Sequence, residues 1–342
     1  EIGSGLVGSE MCIRDRVKLA AIDLGTVSSR LLCATMRDGA IGESRKHTVI
    51  TDLGEGVDAR GVFSAAAIER VMDACREFVD EARSYGASRV CTTLTSAARD
   101  VSNGDALLEQ LSDLGLEPQV IPGEVEARLT FYGVAHDFPS ERIAVADSGG
   151  GSTEIVVGTY APSPEGDAFA LECARSLDIG CRRVTERFFS ALPPRGEGLD
   201  AAVAWMRPQF DAYWRALDER PDRLIAVGGT VTSLVAMVHE LTVYDSRFVH
   251  LRDLTISQVE NAIAKMRAMG IEEIAALPGI QAKRAPVILA GAVVMRELMR
   301  SGGYDRLTVS ENSLLAGSAA TMCEAMAGEA PVIGWTPTLS AL

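Results

Sequence analysis

One short pattern occurs twice in this chain, and it constrains the fold more than any bulk property does. The stretch AAIDLGTVSSRLL at 20–32 lies without gaps over AVADSGGGSTEIV at 144–156. Asp23 falls on Asp147, Gly25 on Gly149, Ser28 on Ser152 and Arg30 on Glu154. Each copy reads as an apolar strand, a glycine-bearing turn and a second apolar strand. The copies are too far apart in the chain to be a solenoid period. Two copies of one α/β unit facing each other would instead bring two similar turns to a shared cleft.

The rest of the chain alternates strands with helices, which predicts an α/β architecture with a partly parallel sheet. Helical spacing is clearest from Ser64 to Tyr85, where Ile68, Val71, Met72, Cys75 and Phe78 share a face and Ser64 is placed to cap. Strands are expected at Arg89–Thr93, Pro118–Ile121, Ala168–Leu177, Leu224–Val227 and Leu307–Val309. Helices are expected at Gly104–Leu114, Glu124–Val134, Thr185–Leu192, Leu199–Leu217 and Val231–Glu240, then at 256–269, at 283–301 and from Leu314. A chain of 342 residues accommodates two domains, placed at 17–137 and 138–327. The tail 328–342, with two prolines and little periodicity, is expected to be mobile. The first sixteen residues, EIGSGLVGSEMCIRDR, have no signal-peptide apolar stretch and read as non-native, adapter-like sequence, so the native chain is expected to begin near Val17.

Charge and cysteine usage narrow the function classes. A formal net charge of −14 argues against nucleic acid or an anionic membrane as partner, and no apolar run is long enough to span a bilayer. The seven cysteines are scattered without a C-x-x-C pair, the usage of a reduced, cytoplasmic protein. Four dispersed histidines suggest neither a zinc site nor a histidine-based nucleophile system.

The chemistry is expected at the turns. Gly149, Gly150, Gly151 and Ser152 follow a strand, so their backbone N–H groups can converge on an oxyanion that must approach the main chain closely. Asp23 and Asp147 stand where a strand meets a glycine turn, and Glu154 lies on the outgoing strand. Carboxylates so placed suit a hydrated Mg²⁺, which takes one or two of them plus phosphate oxygens. An aspartate there can equally cap its own turn. Glu124 and Glu126 open a helix, where acids ordinarily serve the helix dipole; either could act as base on a water, and spacing alone does not choose between them. Arg99, at a strand-to-helix connection, is a candidate phosphate clamp. Gly228-Gly229-Thr230 forms a third strand–turn–helix junction able to receive an anion.

Taken together, DLGTVSSRL (23–31), LTSAARDVSN (94–103), GEVEARLTFYGV (123–134), DSGGGSTEIVVG (147–158), AVGGTVTSL (226–234) and VSENSLLAG (309–317) resemble the exopolyphosphatase/guanosine pentaphosphate phosphatase family, in its short form common among actinobacteria. The resemblance implies an actin-like fold, with two RNase H-like domains and the site in the cleft between them. It implies Glu126 as the base on the attacking water, and Asp147 and Glu154 as metal-binding or water-orienting acids; Asp23 stays a candidate ligand of Mg²⁺ from its place at the strand end. Phosphate would be held by Gly25, Thr26, Ser28, Arg99, Gly149, Gly150, Gly151 and Ser152, with Gly229 and Thr230 at the third junction. The implied substrate is inorganic polyphosphate, in short chains, or guanosine pentaphosphate, and the implied assembly is a homodimer. A negatively charged chain acting on a polyanion requires a local basic lane or bound cations.

The sequence departs from the family pattern at four places. Val27 stands where asparagine is usual, Val125 where an acid precedes the catalytic glutamate, Asp52 where arginine is common, and Pro286 where aspartate is frequent. Val27 and Asp52 leave open a phosphate or nucleotide sensor with weak or no turnover, and the shared fold leaves open a kinase or chaperone-like ATPase.

Overall fold

The computed structural model describes residues 16–37, 39–163, 168–189, 191–194 and 197–342; of the sixteen N-terminal residues set aside above, 1–15 lie outside these. Two six-stranded sheets organise the chain. In the first, β1 (Val17–Leu24), β2 (Ser28–Arg37) and β3 (Ala40–Ile50) form an antiparallel meander. Parallel strands β4 (Arg89–Leu94) and β5 (Pro118–Val120) extend it beyond β1. The second sheet repeats the plan, with β6 (Arg142–Ser148), β7 (Thr153–Ala161) and β8 (Ala168–Leu177) as the meander and β9 (Arg223–Val227) parallel beside β6. Beyond β9 come β10 (Arg252–Thr255) and β11 (Arg306–Val309), with β11 parallel to β9 and β10 antiparallel on the outer edge. The duplication in sequence is thus a duplication of topology.

Local sequence accounts for the elements. β1 and β6 are nearly unbroken apolar runs because helices cover both faces of their sheets. The helix Ala65–Tyr85 is capped by Ser64, whose hydroxyl accepts from Ala67 N–H at 3.1 Å, and it stops at Gly86, where φ is 83°. Its buried residues Ala67, Val71, Met72, Cys75, Phe78, Val79 and Ala82 form the core of the first sheet's outer face.

Two helices cross between the sheets. Gly123–Ala135 comes from the first half of the chain, yet packs on β6, β7 and β8 of the second sheet. Leu314–Met326, the last helix, packs on β1 and β2 of the first. They meet at Gly133 and Gly317: a Cβ at either would strike the other helix's backbone. Each helix is therefore buried on several sides, which explains its low amphipathicity.

Three expectations are corrected. The helix predicted at Thr185–Leu192 spans Cys181–Phe188; it starts early because its free N–H groups find acceptors in the second glycine turn. The helix expected from Val231 begins at Gly229. The tail is docked: β12 (Ser340–Ala341) pairs with β4, Thr338 N–H donates to Gln119 Oε1 at 2.7 Å, and Ile333 is buried. Its contacts come from residues distant in sequence, so local periodicity could not register them. Among the described residues no helix is long and apolar enough to cross a membrane.

Ile333→Ala should cost about 2–4 kcal/mol, the range for truncating a buried aliphatic side chain, read from urea unfolding. A mobile tail would leave the midpoint unchanged.

Candidate functional site

The two glycine turns close in the same way. Gly25 N–H donates to the Ser28 carbonyl at 3.0 Å, and Gly149 N–H to the Ser152 carbonyl at 3.0 Å. They also press against each other. A Cβ on Gly150 would overlap Thr26 and Val27, and one on Gly151 would overlap Ser96 and Thr26. Glycine is needed here for close approach of the two halves. The pocket between the turns is lined by Gly25, Thr26, Ser28, Glu126, Asp147, Gly149, Gly150, Gly151, Ser152, Gly229 and Thr230, all singled out in the sequence.

Strand pairing places the acids. In the first repeat Asp23 faces Arg30 across β1 and β2; in the second, Asp147 faces Glu154 across β6 and β7. The first pair neutralises itself: Arg30 Nε and Nη2 reach Asp23 Oδ2 at 2.9 and 2.6 Å. The second pair joins two acids, both buried. Burial pushes the Asp147 carboxyl above its ordinary range, with Arg30 opposing. Burial raises Glu154 too, against the hydrogen bond it accepts from Ser176 Oγ at 2.7 Å.

Of the two glutamates on the helix Gly123–Ala135, the structure buries Glu126 and leaves Glu124 exposed. Val125 packs against the apolar cluster beneath that helix. Burial, then the charge of Glu154, raises the Glu126 carboxyl well above the usual carboxylate range, and Arg99 opposes the shift. Arg99 Nη1 donates to Glu126 Oε2 and to the Ile121 carbonyl, both at 2.9 Å, and Nη2 lies 4.0 Å from Glu154 Oε1. Its guanidinium is engaged behind the pocket, so the structure makes it a carboxylate partner where a phosphate clamp was expected. Asp23 and Glu154 likewise stand behind the lining.

Sequence reasoning missed the cations that do line the pocket, Arg30 and Arg284. Arg30 was visible as the residue matching Glu154 in the duplication, but its pairing to Asp23 required the β1–β2 register. Arg284 had no motif to mark it. It is buried against Gly229, and among the described residues its side chain makes no hydrogen bond or ion pair. Arg284 also lines the larger cleft outside, of about 1170 Å³, together with Arg45, Lys46, Arg247, Tyr85 and Tyr244.

The acids fit a hard cation that keeps its waters. Among the described residues no cluster of three or more His, Cys, Asp or Glu side chains has metal-ligand geometry, which disfavours a site enclosed wholly by protein ligands. Asp147 and Glu154 instead offer a buried acid pair that Arg30 and Arg99 only partly offset, and Asp23 Oδ1 is buried without a hydrogen-bond partner. One or two carboxylates completed by water and phosphate oxygens is the Mg²⁺ pattern.

Comparison with known proteins places the chain among phosphatases. Residues 34–324 match the family model described as the Ppx/GppA phosphatase family. The chain is 34% identical over 322 residues to Exopolyphosphatase 2 of Mycobacterium tuberculosis, covering 89% of this chain and 98% of the relative. It is 27% identical to a guanosine-5′-triphosphate,3′-diphosphate pyrophosphatase of Photobacterium profundum, covering 90% of this chain and 59% of that protein. A solved exopolyphosphatase-like protein superimposes with a TM-score of 0.81 at 30% identity, over 90% of this chain and 97% of the other.

Raised carboxyl groups have a consequence for stability. A carboxyl whose folded pKa exceeds its unfolded value binds extra protons in the native state, so stability falls as pH rises between the two values. Without metal, Glu154→Gln should therefore raise the melting temperature at pH 8 by several degrees, for about 1–3 kcal/mol of relieved burial. The gain should shrink as pH falls through the window and vanish only below the unfolded carboxyl value, at about pH 4. Thermal melts in chelator at both pH values check this; equal gains at both would mean that Glu154 is not a buried charge.

Proposed function

The chain belongs to the Ppx/GppA phosphatase family and is a phosphoanhydride hydrolase of actin-like fold; from that premise we propose that it releases the terminal phosphate of inorganic polyphosphate, with Mg²⁺ and with a preference for short chains. One observation carries the reading: the buried Glu126 carboxylate opens onto the same narrow pocket as the Gly149–Ser152 turn. A base and an array of N–H donors there confront one small anion.

The reaction is an in-line displacement. Backbone N–H groups of Gly150, Gly151 and Ser152, with those of the first turn at Thr26, hold the terminal phosphoryl group between the two halves. Glu126 accepts a proton from water as the water oxygen bonds to phosphorus. The bridging P–O bond breaks, and the shortened chain leaves with its electron pair. Arg99 orients the Glu126 carboxylate and moderates its rise in pKa. Asp147 and Glu154, with Asp23 behind them, would hold Mg²⁺, which when bound offsets charge on the phosphoryl oxygens.

Arg284 links this pocket to the outer cleft. With Arg45 and Arg247, and with Lys46 beside its partner Glu311, it gives the cleft a few cations within an otherwise acidic protein, which supports a polyanion entering end-on. Few cations make a short lane, hence the preference for short chains. A second reading has the same chemistry on guanosine pentaphosphate. It is favoured by the width of the cleft and by Tyr85 and Tyr244 in its lining, a surface against which a nucleobase could stack.

Glu126→Gln should lower phosphate release from short-chain polyphosphate by about 10²–10⁴-fold with KM little changed. Chelator should abolish release by the unaltered protein. Turnover of neither polyphosphate nor guanosine pentaphosphate would remove the hydrolase reading in favour of a sensor. Arg284→Met should raise KM by roughly tenfold, the effect of losing one charge-assisted contact; an unchanged KM would place the chain elsewhere.

A further inference from the structure

Behind the second glycine turn lies a short helix, Cys181–Phe188, whose role the phosphoryl site does not by itself explain. Its N-terminus has no side-chain cap. Cys181 N–H donates to the Gly149 carbonyl at 3.0 Å, and Arg182 and Arg183 N–H donate to the Gly150 carbonyl at 2.8 and 3.1 Å. The Arg183 side chain continues the series, with Nε donating to the Gly151 carbonyl at 2.8 Å. Three successive carbonyls are thus drawn outward. In a trans peptide the C=O and the following N–H point in opposite directions. The N–H groups of Gly150, Gly151 and Ser152 are therefore turned toward the pocket.

Arg183 does more than hold one peptide. Nη1 donates to Asp58 Oδ1 and Nη2 to Asp100 Oδ2, both at 2.5 Å. Both aspartates belong to the first half of the molecule, and Asp100 directly follows Arg99, the partner of Glu126. The guanidinium is mostly buried, and its three donor nitrogens meet acceptors in three different segments. Neighbouring contacts cross the same seam: Arg187 reaches Asp58 at 2.6 and 2.7 Å, and Arg182 pairs with Asp52. The side-chain contacts of Arg187 and Arg182 touch no peptide of the glycine turn.

We propose that Arg183 is a positioning residue for phosphoryl recognition, one guanidinium that orients the Gly151–Ser152 peptide and ties that peptide to Asp58 and Asp100 across the cleft. The N–H array is then complete only when the two halves are closed on each other. Lysine cannot replace it, because one ammonium cannot serve three acceptors with the planar fork geometry. The inference rests on reading the pocket as a phosphoryl site.

The test compares the unaltered protein with Arg183→Gln, Arg183→Lys and Arg187→Gln. Affinity for inorganic phosphate is measured by calorimetry, and kcat and KM on short-chain polyphosphate with Mg²⁺. Arg183→Gln should weaken phosphate binding about tenfold or more and lower kcat by a comparable factor, less than the roughly 10²–10³-fold cost of removing an oxyanion donor outright. Arg183→Lys should regain thermal stability but not phosphate affinity. Arg187→Gln, which removes the cross-cleft contacts to Asp58 and a cation–π contact with Trp205 but no contact with the glycine turn, should bind phosphate within about twofold of the unaltered protein. Phosphate affinity and kcat unchanged in Arg183→Gln would overturn the proposal, as would an equal loss in Arg187→Gln. If Arg183→Gln does not fold, unaltered phosphate affinity in Arg183→Lys overturns it. Unaltered protein that binds phosphate without turnover would remove the hydrolase reading alone, and the affinities of the variants would still decide the role of Arg183. Unaltered protein that binds no phosphate would overturn both.

Discussion

The site depends on the close crossing of the helices Gly123–Ala135 and Leu314–Met326. Their backbones meet at Gly133 and Gly317, where no side chain can fit. Through this crossing a helix from the first half of the chain is laid on the second sheet, and its first turn delivers Glu126 to the ends of β6 and β7. The reciprocal helix returns to the first sheet and packs on β1 and β2. Neither half buries its own faces without the other, so the architecture that forms the cleft also places the carboxylates. A side chain at the crossing would separate the helices and move Glu126 away from Asp147 and Glu154.

The duplicated turn shows how one unit serves two ends. Both copies have the same closing hydrogen bond and an aspartate at the same strand position, but the partner across the hairpin differs in sign. Asp23 with Arg30 is a neutral pair in the first half. Asp147 with Glu154 is a pair of buried acids in the second, and burial raises both carboxyl groups. Burying such a pair is costly. That cost is understandable if the site takes up a cation with its substrate, as proposed.

The departures from the family pattern have structural settings. Val27 is buried and packs against Gly150 and the core of the second half. Asp52 adopts φ of 47°, a region that aspartate tolerates better than most residues, and it pairs with Arg182 across the seam. Its charge therefore meets an arginine. Pro286 sits in the first turn of the helix Ala285–Gly302, where a missing N–H leaves no intrahelical bond unmade.

Much of the molecule was legible in the sequence because its governing signals are local. Strand–turn–strand repeats, helical spacing at Ser64–Tyr85 and glycine at the turns follow from short-range sterics and from periodic burial, and they determined the α/β class, the duplication and the turn residues. Eleven of the residues proposed for the site line one pocket for that reason. What depends on cross-strand register or on contacts distant in sequence was decided only by the tertiary structure. Glu126 was separated from Glu124 physically by which of the two is buried. Arg99 was shown to pair with a carboxylate because Glu126 arrives beside it from a crossing helix. Arg284, the docked tail and the contacts of Arg183 have no periodicity to announce them. Their partners are brought near by the fold, and a linear pattern carries no information about a neighbour that only packing supplies.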